Sequence, residues 1–365
     1  MSKWIVALVR LKTLWACAAA LCLGALLIAA SGVNPATAYA SLFRGAFLDY
    51  WGLSSTLVKA SPILLAGLAV AVPMRAGMFN IGAEGQIYCG ALFATLASLH
   101  LPELPAVPGI ALVMLASAAG GALWAAIPGY LKAYRGVNEV IVTLLLNFVA
   151  IQLVSYAVSG PLHATGAPYP YSDEIPQPLR LPLILPQTDA HIGILFGILL
   201  ALALHLCLKY TRFGHALDLV GKNRHAALYG GVPVKRQLMT AMMLGGALAG
   251  LAGGLEVIGL KHRLFHMFSP GYGFDGIVAA FMAGGSAAWV PVSALLLSGL
   301  KAGSNIMQRA VGVDATVVDA IQGLVVIFVA ASQNASAVRF GARAARHLKR
   351  WTCQVRGMPA STETM

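Results

Sequence analysis

Long intervals without a single charged side chain govern what this sequence can fold into. Nothing between Thr13 and Phe43 is charged, nor is anything in Ala60–Met74, Leu104–Leu131, Ile141–Ser172, Gly276–Leu300 or Ala320–Val338. Gly85–Pro102 and Gln237–Leu255 are further runs, each bordered by an acid. A helix needs about 20 largely apolar residues to cross the hydrocarbon core of a bilayer, and these runs are of that order. Only 10% of the 365 residues are charged and 58% are hydrophobic, whereas soluble domains carry about 25% charged residues. The 39 glycines follow no triplet period, and the abundance of Leu, Ile and Val argues against disorder. The expected fold class is all-α integral membrane, with about ten transmembrane helices. These lie near 13–32, 60–76, 80–100, 106–127, 139–159, 191–208, 237–259, 275–288, 290–307 and 316–334.

The formal charge of +12 would suggest nucleic acid on a soluble chain. Here the basic residues orient the spans instead, because Lys and Arg favour the cytoplasmic side. With the N-terminus inside, ten crossings put 18 of the 25 basic residues inside and 7 outside, Lys59 and Lys301 among the outer ones. Reading Gly276–Leu300 as one span would reverse the tail and reduce the split to 14 and 11. Gly284, Gly285 and Pro291 therefore read as a break between two short crossings. Residues 1–335 form the membrane domain and 336–365 a basic cytoplasmic tail, attracted to anionic lipid. Ala36-Thr37-Ala38-Tyr39-Ala40 has the spacing of a signal-peptide cleavage site. Its apolar run of 18 residues is longer than the usual 7–15, so the first span is expected to stay.

Two polar segments interrupt the apolar pattern. Residues 161–190, rich in Pro and Tyr, read as an external loop. Residues 209–236 are basic, and Leu217–Tyr229 reads as a short cytoplasmic helix ended by Gly230-Gly231. That helix is either a docking element for a soluble partner or an ordinary positive-inside loop. Five spans before the external loop and five after it would make two inverted halves. The third span opens Phe79-Asn80-Ile81-Gly82-Ala83-Glu84 and the eighth Gly273-Phe274-Asp275-Gly276, each pairing Phe and Gly with an acid. On the seventh, Gly246, Gly250 and Gly254 make a flat face for close helix packing.

Acids inside apolar spans are costly and mark candidate sites. Glu84, Glu139, Glu256, Asp275 and Asp319 qualify, with Glu256 and Asp275 expected at span rims. Around Glu84, Asn80 and Gln86 interrupt an otherwise apolar run. Asn138, Glu139 and Asn147 open the fifth span in the same way. These groups serve either as a substrate path or hinge, or as a polar clamp between helices. Cys17, Cys22, Cys89, Cys207 and Cys353 have no paired spacing and read as packing residues, without disulfide or metal. His262 and His266 lack a nearby acid, and the sequence contains no HExxH, GxSxG or GxxxxGK[ST] motif. No cofactor is expected, and the chain is not read as an enzyme.

These residues carry a resemblance. Met78–Gln86 resembles the third-span motif of ABC-transporter permeases of the nucleoside-importer type, within the sugar and branched-chain amino acid permease group. Gly136–Asn147 is similar to the family's NEVI-T-LLN segment, Gly221–Gly230 to its cytoplasmic coupling helix, and Gly271–Gly285 to the segment around the eighth span. The coupling helix departs from the family in carrying Lys222, Arg224 and His225 where acids and a Pro are usual. The resemblance implies a type II ABC-importer-like fold and a permease subunit for nucleosides or purines in a bacterial inner membrane, both termini cytoplasmic. It implies as partners cytoplasmic ABC ATPases that bind the ATP, a second permease and an external substrate-binding lipoprotein. The implied substrate path is Phe79, Asn80, Glu84, Gln86, Asn138, Glu139 and Asn147. ATPase coupling falls to Gly221, Lys222, Asn223, Arg224, Ala226, Ala227, Tyr229 and Gly230. The alternatives are a sugar or branched-chain amino acid permease, or an ion-coupled carrier using Glu84 and Glu256.

Overall fold

The computed structural model describes residues 18–100 and 105–313, and residues 316, 317, 320, 321, 323, 324, 327 and 328. Expectations for residues 1–17, Asp319, Cys353 and the tail from 336 lie outside these residues, as does most of the tenth span.

Most of the described chain is helical. In order the helices are α1 (Ala18–Ala30), α2 (Pro35–Phe47), α3 (Tyr50–Arg75), α4 (Ala83–His100), α5 (Ala106–Arg135), α6 (Glu139–Ser159), α7 (Gly193–Tyr210), α8 (Arg212–Lys222), α9 (Arg224–Tyr229), α10 (Val234–Glu256), α11 (Tyr272–Met282) and α12 (Val290–Val311). A π turn, Val257–Lys261, continues α10. Among the described residues the only strand-like features are two isolated bridges, Tyr171 with Phe265 and Leu183 with His191. Among the described residues five helices are long and apolar enough to cross a membrane: α3, α5, α6, α7, and α10 with its π turn. The pair α1 and α2, bent by 116°, makes a sixth if it is one span. The α4 and α12 helices have 18 and 22 residues, with polar residues such as Gln86 and Lys301 among them.

Buried α3 is the axis of the molecule. Its 26 residues make a rod of about 39 Å. At one end the Tyr50 hydroxyl donates to the Pro186 carbonyl (2.8 Å), within the 161–190 segment. At the other, Arg75 pairs with Asp218 (3.0 Å), within the 209–236 segment. The two polar segments thus sit at opposite ends of the rod.

Glycine seams set how closely α4, α5 and α10 approach. Gly246 and Gly250 meet the Gly121 backbone, Gly254 meets Ser117, and Gly253 meets Ile87 and Ala91 of α4. The Ser117 hydroxyl donates to the Gly250 carbonyl (2.5 Å) across the seam. Cβ atoms at Gly90, Gly121 or Gly250 would overlap backbone.

Several expectations are corrected. The external loop expected after the first span contains α2, capped by Asn34 Oδ1 on the Ala36 amide, so Ala36–Ala40 is helix interior. Asp49 caps the Gly52 amide (2.9 Å) and starts α3 ten residues earlier than expected, which brings Lys59 into a helix. Lys301, counted with the outer residues, lies inside α12, within the span expected at 290–307. The single helix expected over Leu217–Tyr229 is two: Asn223 is extended, and its side chain caps the amides of His225 and Ala226. Glu256 is only 1% exposed, not at a rim, because the π turn and residues 262–271 fold beyond it. The 11-residue α11 is about 16 Å long, so alone it is too short for the full crossing expected at 275–288.

Replacing Gly250 with Val is expected to cost about 1–3 kcal/mol or more through overpacking. A thermal-unfolding midpoint in detergent equal to that of the unmodified protein would contradict the seam.

Candidate translocation and coupling sites

The start of α4 is not helical, and its backbone amides must find partners away from water. Residues 76–82 climb from the Arg75 end of α3 along its flank. There the Met78 amide donates to the Pro73 carbonyl (3.1 Å), and Asn80 Nδ2 donates to the Ala69 carbonyl (3.3 Å). Asn80 and Gln86 exchange two amide hydrogen bonds (2.9 and 3.0 Å). Asn147 reaches across from α6, accepting from the Gly85 amide (2.8 Å) and donating to the Ile81 carbonyl (2.9 Å). Gly85 is required at this crossing, since a Cβ there would press on Asn147. The cap of α4 is therefore supplied by a neighbouring helix.

Half-helix α11 begins at the same level. Its Gly276 lies on Ala66 and Gly67, near the middle of α3, and Gly285 beyond its end lies against Met74. Residues 262–271 fill the other half: the Ser172 amide donates to the Leu264 carbonyl (3.0 Å), and Phe268 packs on Tyr88 (4.7 Å between rings). Ser269 Oγ accepts from the amides of Gly271 and Tyr272. Glu84 Oε2 accepts from the Gly273 amide at 2.6 Å. Glu84 is buried in the first turn of α4 and touches the first turn of α11. Its carboxylate thus sits where two helix N-termini meet, and both dipoles favour a negative charge there.

A second electrostatic contact fastens α11. Lys301 Nζ lies 2.5 Å from Asp275 Oδ2, and Lys59 Nζ donates to the Lys301 carbonyl (3.2 Å). Sequence reasoning counted both lysines on the outer side, Lys59 in a loop and Lys301 within the 290–307 span, and missed this cluster; a Lys in a helix face opposite an acid was the signal available.

The sequence-derived path residues divide into three groups. Asn80, Glu84, Gln86 and Asn147 come together in the buried knot just described. Phe79, alternating with buried Met78 and Asn80, is exposed and stacks on Phe281 (6.2 Å, 20°). Asn138 and Glu139 are elsewhere: Asn138 caps the Val140 amide (3.0 Å), and Glu139 pairs with Lys132 of α5 (2.6 Å).

The α8–α9 pair docks beneath the knot. Gly221 abuts the Arg75 carbonyl, and Arg224 Nη2 donates to the Gly77 carbonyl (3.4 Å). Of the residues expected to couple to an ATPase only Ala227 is buried; Gly221, Lys222, Asn223, Arg224, Ala226 and Gly230 are exposed, and Tyr229 is 93% exposed. A movement of α9 would reach Gly77 and then the turn holding Asn80. At the opposite end, Glu174 binds Arg180 (2.6 Å) and Arg263 (3.0 Å). The two guanidinium groups hold its carboxyl below the usual carboxylate range.

The family model for the permease component of branched-chain amino acid transport systems matches residues 52–330. The chain belongs to that family. It is a permease of the ABC-importer type, and its relatives are transporter subunits rather than enzymes. A glucose ABC transporter permease protein of Haloferax volcanii is 37% identical over 88% of this chain and 87% of its own length. A guanosine ABC transporter permease protein of Bacillus subtilis is 36% identical over 87% of this chain and 91% of its own. For a nucleoside ABC transporter permease protein of Lactococcus lactis the values are 29%, 84% and 87%. No solved structure matches the chain.

Replacing Asn147 with Ala orphans the buried Gly85 amide and the part-buried Ile81 carbonyl, at about 1–3 kcal/mol for a fully buried unsatisfied group. Unchanged thermal stability of Asn147→Ala would remove the clamp role.

Proposed function

We propose that this chain is one of two membrane-spanning subunits of an ATP-driven importer for nucleosides or purines. The supporting observation is the balance of charge at the helix break. Glu84 is taken by the α11 amide, Asp275 by Lys301, and Lys59 lies against the same pair. Asp275 and Lys301 neutralise each other and Glu84 is held by a backbone amide, an arrangement that suits a neutral, hydroxyl-rich solute. An amino acid zwitterion would need two opposite charges left free for it. The guanosine and nucleoside relatives favour nucleosides among such solutes, and the glucose relative makes a sugar the second reading.

In this reading the chain crosses a bacterial inner membrane ten times with both termini cytoplasmic, residues 264–271 and α11 together making the eighth crossing. Residues 1–335 are the permease domain and 336–365 a basic cytoplasmic tail. Inverted halves are supported by α4 and α11, two helices whose N-termini meet at Glu84. The exposed α9, with Tyr229 at its end, meets the ATPase, and the path forms with a second, different permease. An external lipoprotein delivers the solute at the 161–190 side. Asn80, Glu84, Gln86 and Asn147 act as the hinge beside the path, Phe79 faces it, and Asn138 and Glu139 set its cytoplasmic rim.

Reconstituted with its ATPase, second permease and binding protein, the transporter is expected to hydrolyse ATP several-fold faster with guanosine. A response to glucose or leucine alone would overturn the nucleoside reading. The Ala226→Glu variant places a desolvated charge at the α9 surface and is expected to weaken ATPase association about tenfold or more, with membrane insertion unchanged. Normal co-purification of the ATPase would overturn the coupling assignment.

A further inference from the structure

Of the five long apolar helices, α6 is the least buried, and its exposed surface differs chemically from those of α5 and α7. Between residues 106 and 127, every exposed residue of α5 is Ala, Val, Pro, Leu or Ile. Between 193 and 206, every exposed residue of α7 is Leu, Phe, Ile or Ala. Those faces match lipid. On α6, Phe148, Gln152 and Tyr156 follow at intervals of four and form one row. Phe148 is 61% and Tyr156 71% exposed. Gln152 is also exposed, and its amide makes no hydrogen bond among the described residues.

The row lies deep in the span. Asn147, at the level of the helix break, is five positions before Gln152, about 7 Å along the axis. The bare amide of Gln152 would be costly against hydrocarbon, so this row faces water or protein. A packed helix partner in a membrane takes small residues that allow close approach, as the α5–α10 seam does with Gly121, Gly246 and Gly250. The α6 row consists of three large side chains. Two rings flanking an amide offer flat faces for stacking and a donor and acceptor for hydrogen bonds. That chemistry fits a planar, hydroxylated solute.

We propose that Phe148, Gln152 and Tyr156 line the water-filled path and contact the permeating nucleoside, the rings taking the face of the base and the amide its edge or the ribose hydroxyls. The inference rests on the nucleoside reading above.

The test is cysteine accessibility in the complete transporter, with ATPase, second permease and binding protein present. Gln152→Cys is treated with a membrane-impermeant thiol reagent, beside Leu199→Cys on the lipid face of α7 and the unmodified protein as a control for native cysteines. Because thiols react as thiolates in water, Gln152→Cys is expected to label roughly tenfold faster than Leu199→Cys, and guanosine to slow that labelling. Gln152→Ala is expected to raise KM for guanosine about three- to tenfold, the loss of one hydrogen bond, with kcat little changed. Labelling of Gln152→Cys no faster than of Leu199→Cys means that lipid or a partner chain covers the row, and overturns the proposal. Labelling without guanosine protection, in a transporter whose unmodified form takes up guanosine, overturns the solute contact alone. Absence of guanosine uptake by the unmodified form overturns the nucleoside reading, and the proposal falls with it.

Discussion

The structure depends on the need to satisfy backbone amides where helices break inside an apolar medium. Two breaks, before α4 and before α11, expose helix N-termini near the middle of the bundle. Glu84 joins them: it belongs to the first turn of one helix and accepts from the Gly273 amide of the other. Asn147 and Ser269 take further amides. Since each unsatisfied group would cost several kcal/mol in lipid, these few polar side chains define where four helices meet.

The knot is mechanically connected in both directions. Beneath it, α8 and α9 hold the turn through Arg75–Asp218 and Arg224 on Gly77. Beside it, α11 is tied to α12 and α3 through Asp275, Lys301 and Lys59, and at its far end the chain turns through Gly284 and Gly285, both in the left-handed region. A half-helix fastened by electrostatics at one end and by glycines at the other is a rigid body with two defined attachments, the kind of element a two-state transporter needs.

The residues around Glu84 were legible in the sequence as polar interruptions of an apolar run, and their coming together followed from that. Their roles were not. Asn147 lies 62 residues from Gly85, and no local pattern reveals that it caps a helix other than its own. Glu139 looked alike by the same criterion, yet it pairs with Lys132 because α5 ends directly beside the start of α6. Lys59 was misplaced because the cap at Asp49 was overlooked. Asn223 was read as helix interior, although an Asn before a short Ala-rich stretch is a capping signal.

Charge-free runs alone determined that this is a helical membrane protein, because spanning segments apolar all along suit helices, whereas the strands of a membrane barrel alternate apolar and polar residues. The motif order determined the family. Only the tertiary structure decided that α11 is a half-helix, that Glu256 is interior, and that α6 exposes Phe148, Gln152 and Tyr156 where α5 over 106–127 and α7 over 193–206 expose only apolar side chains. Those outcomes rest on which surfaces meet at distances of many residues, and periodicity within one helix carries no information about its neighbours.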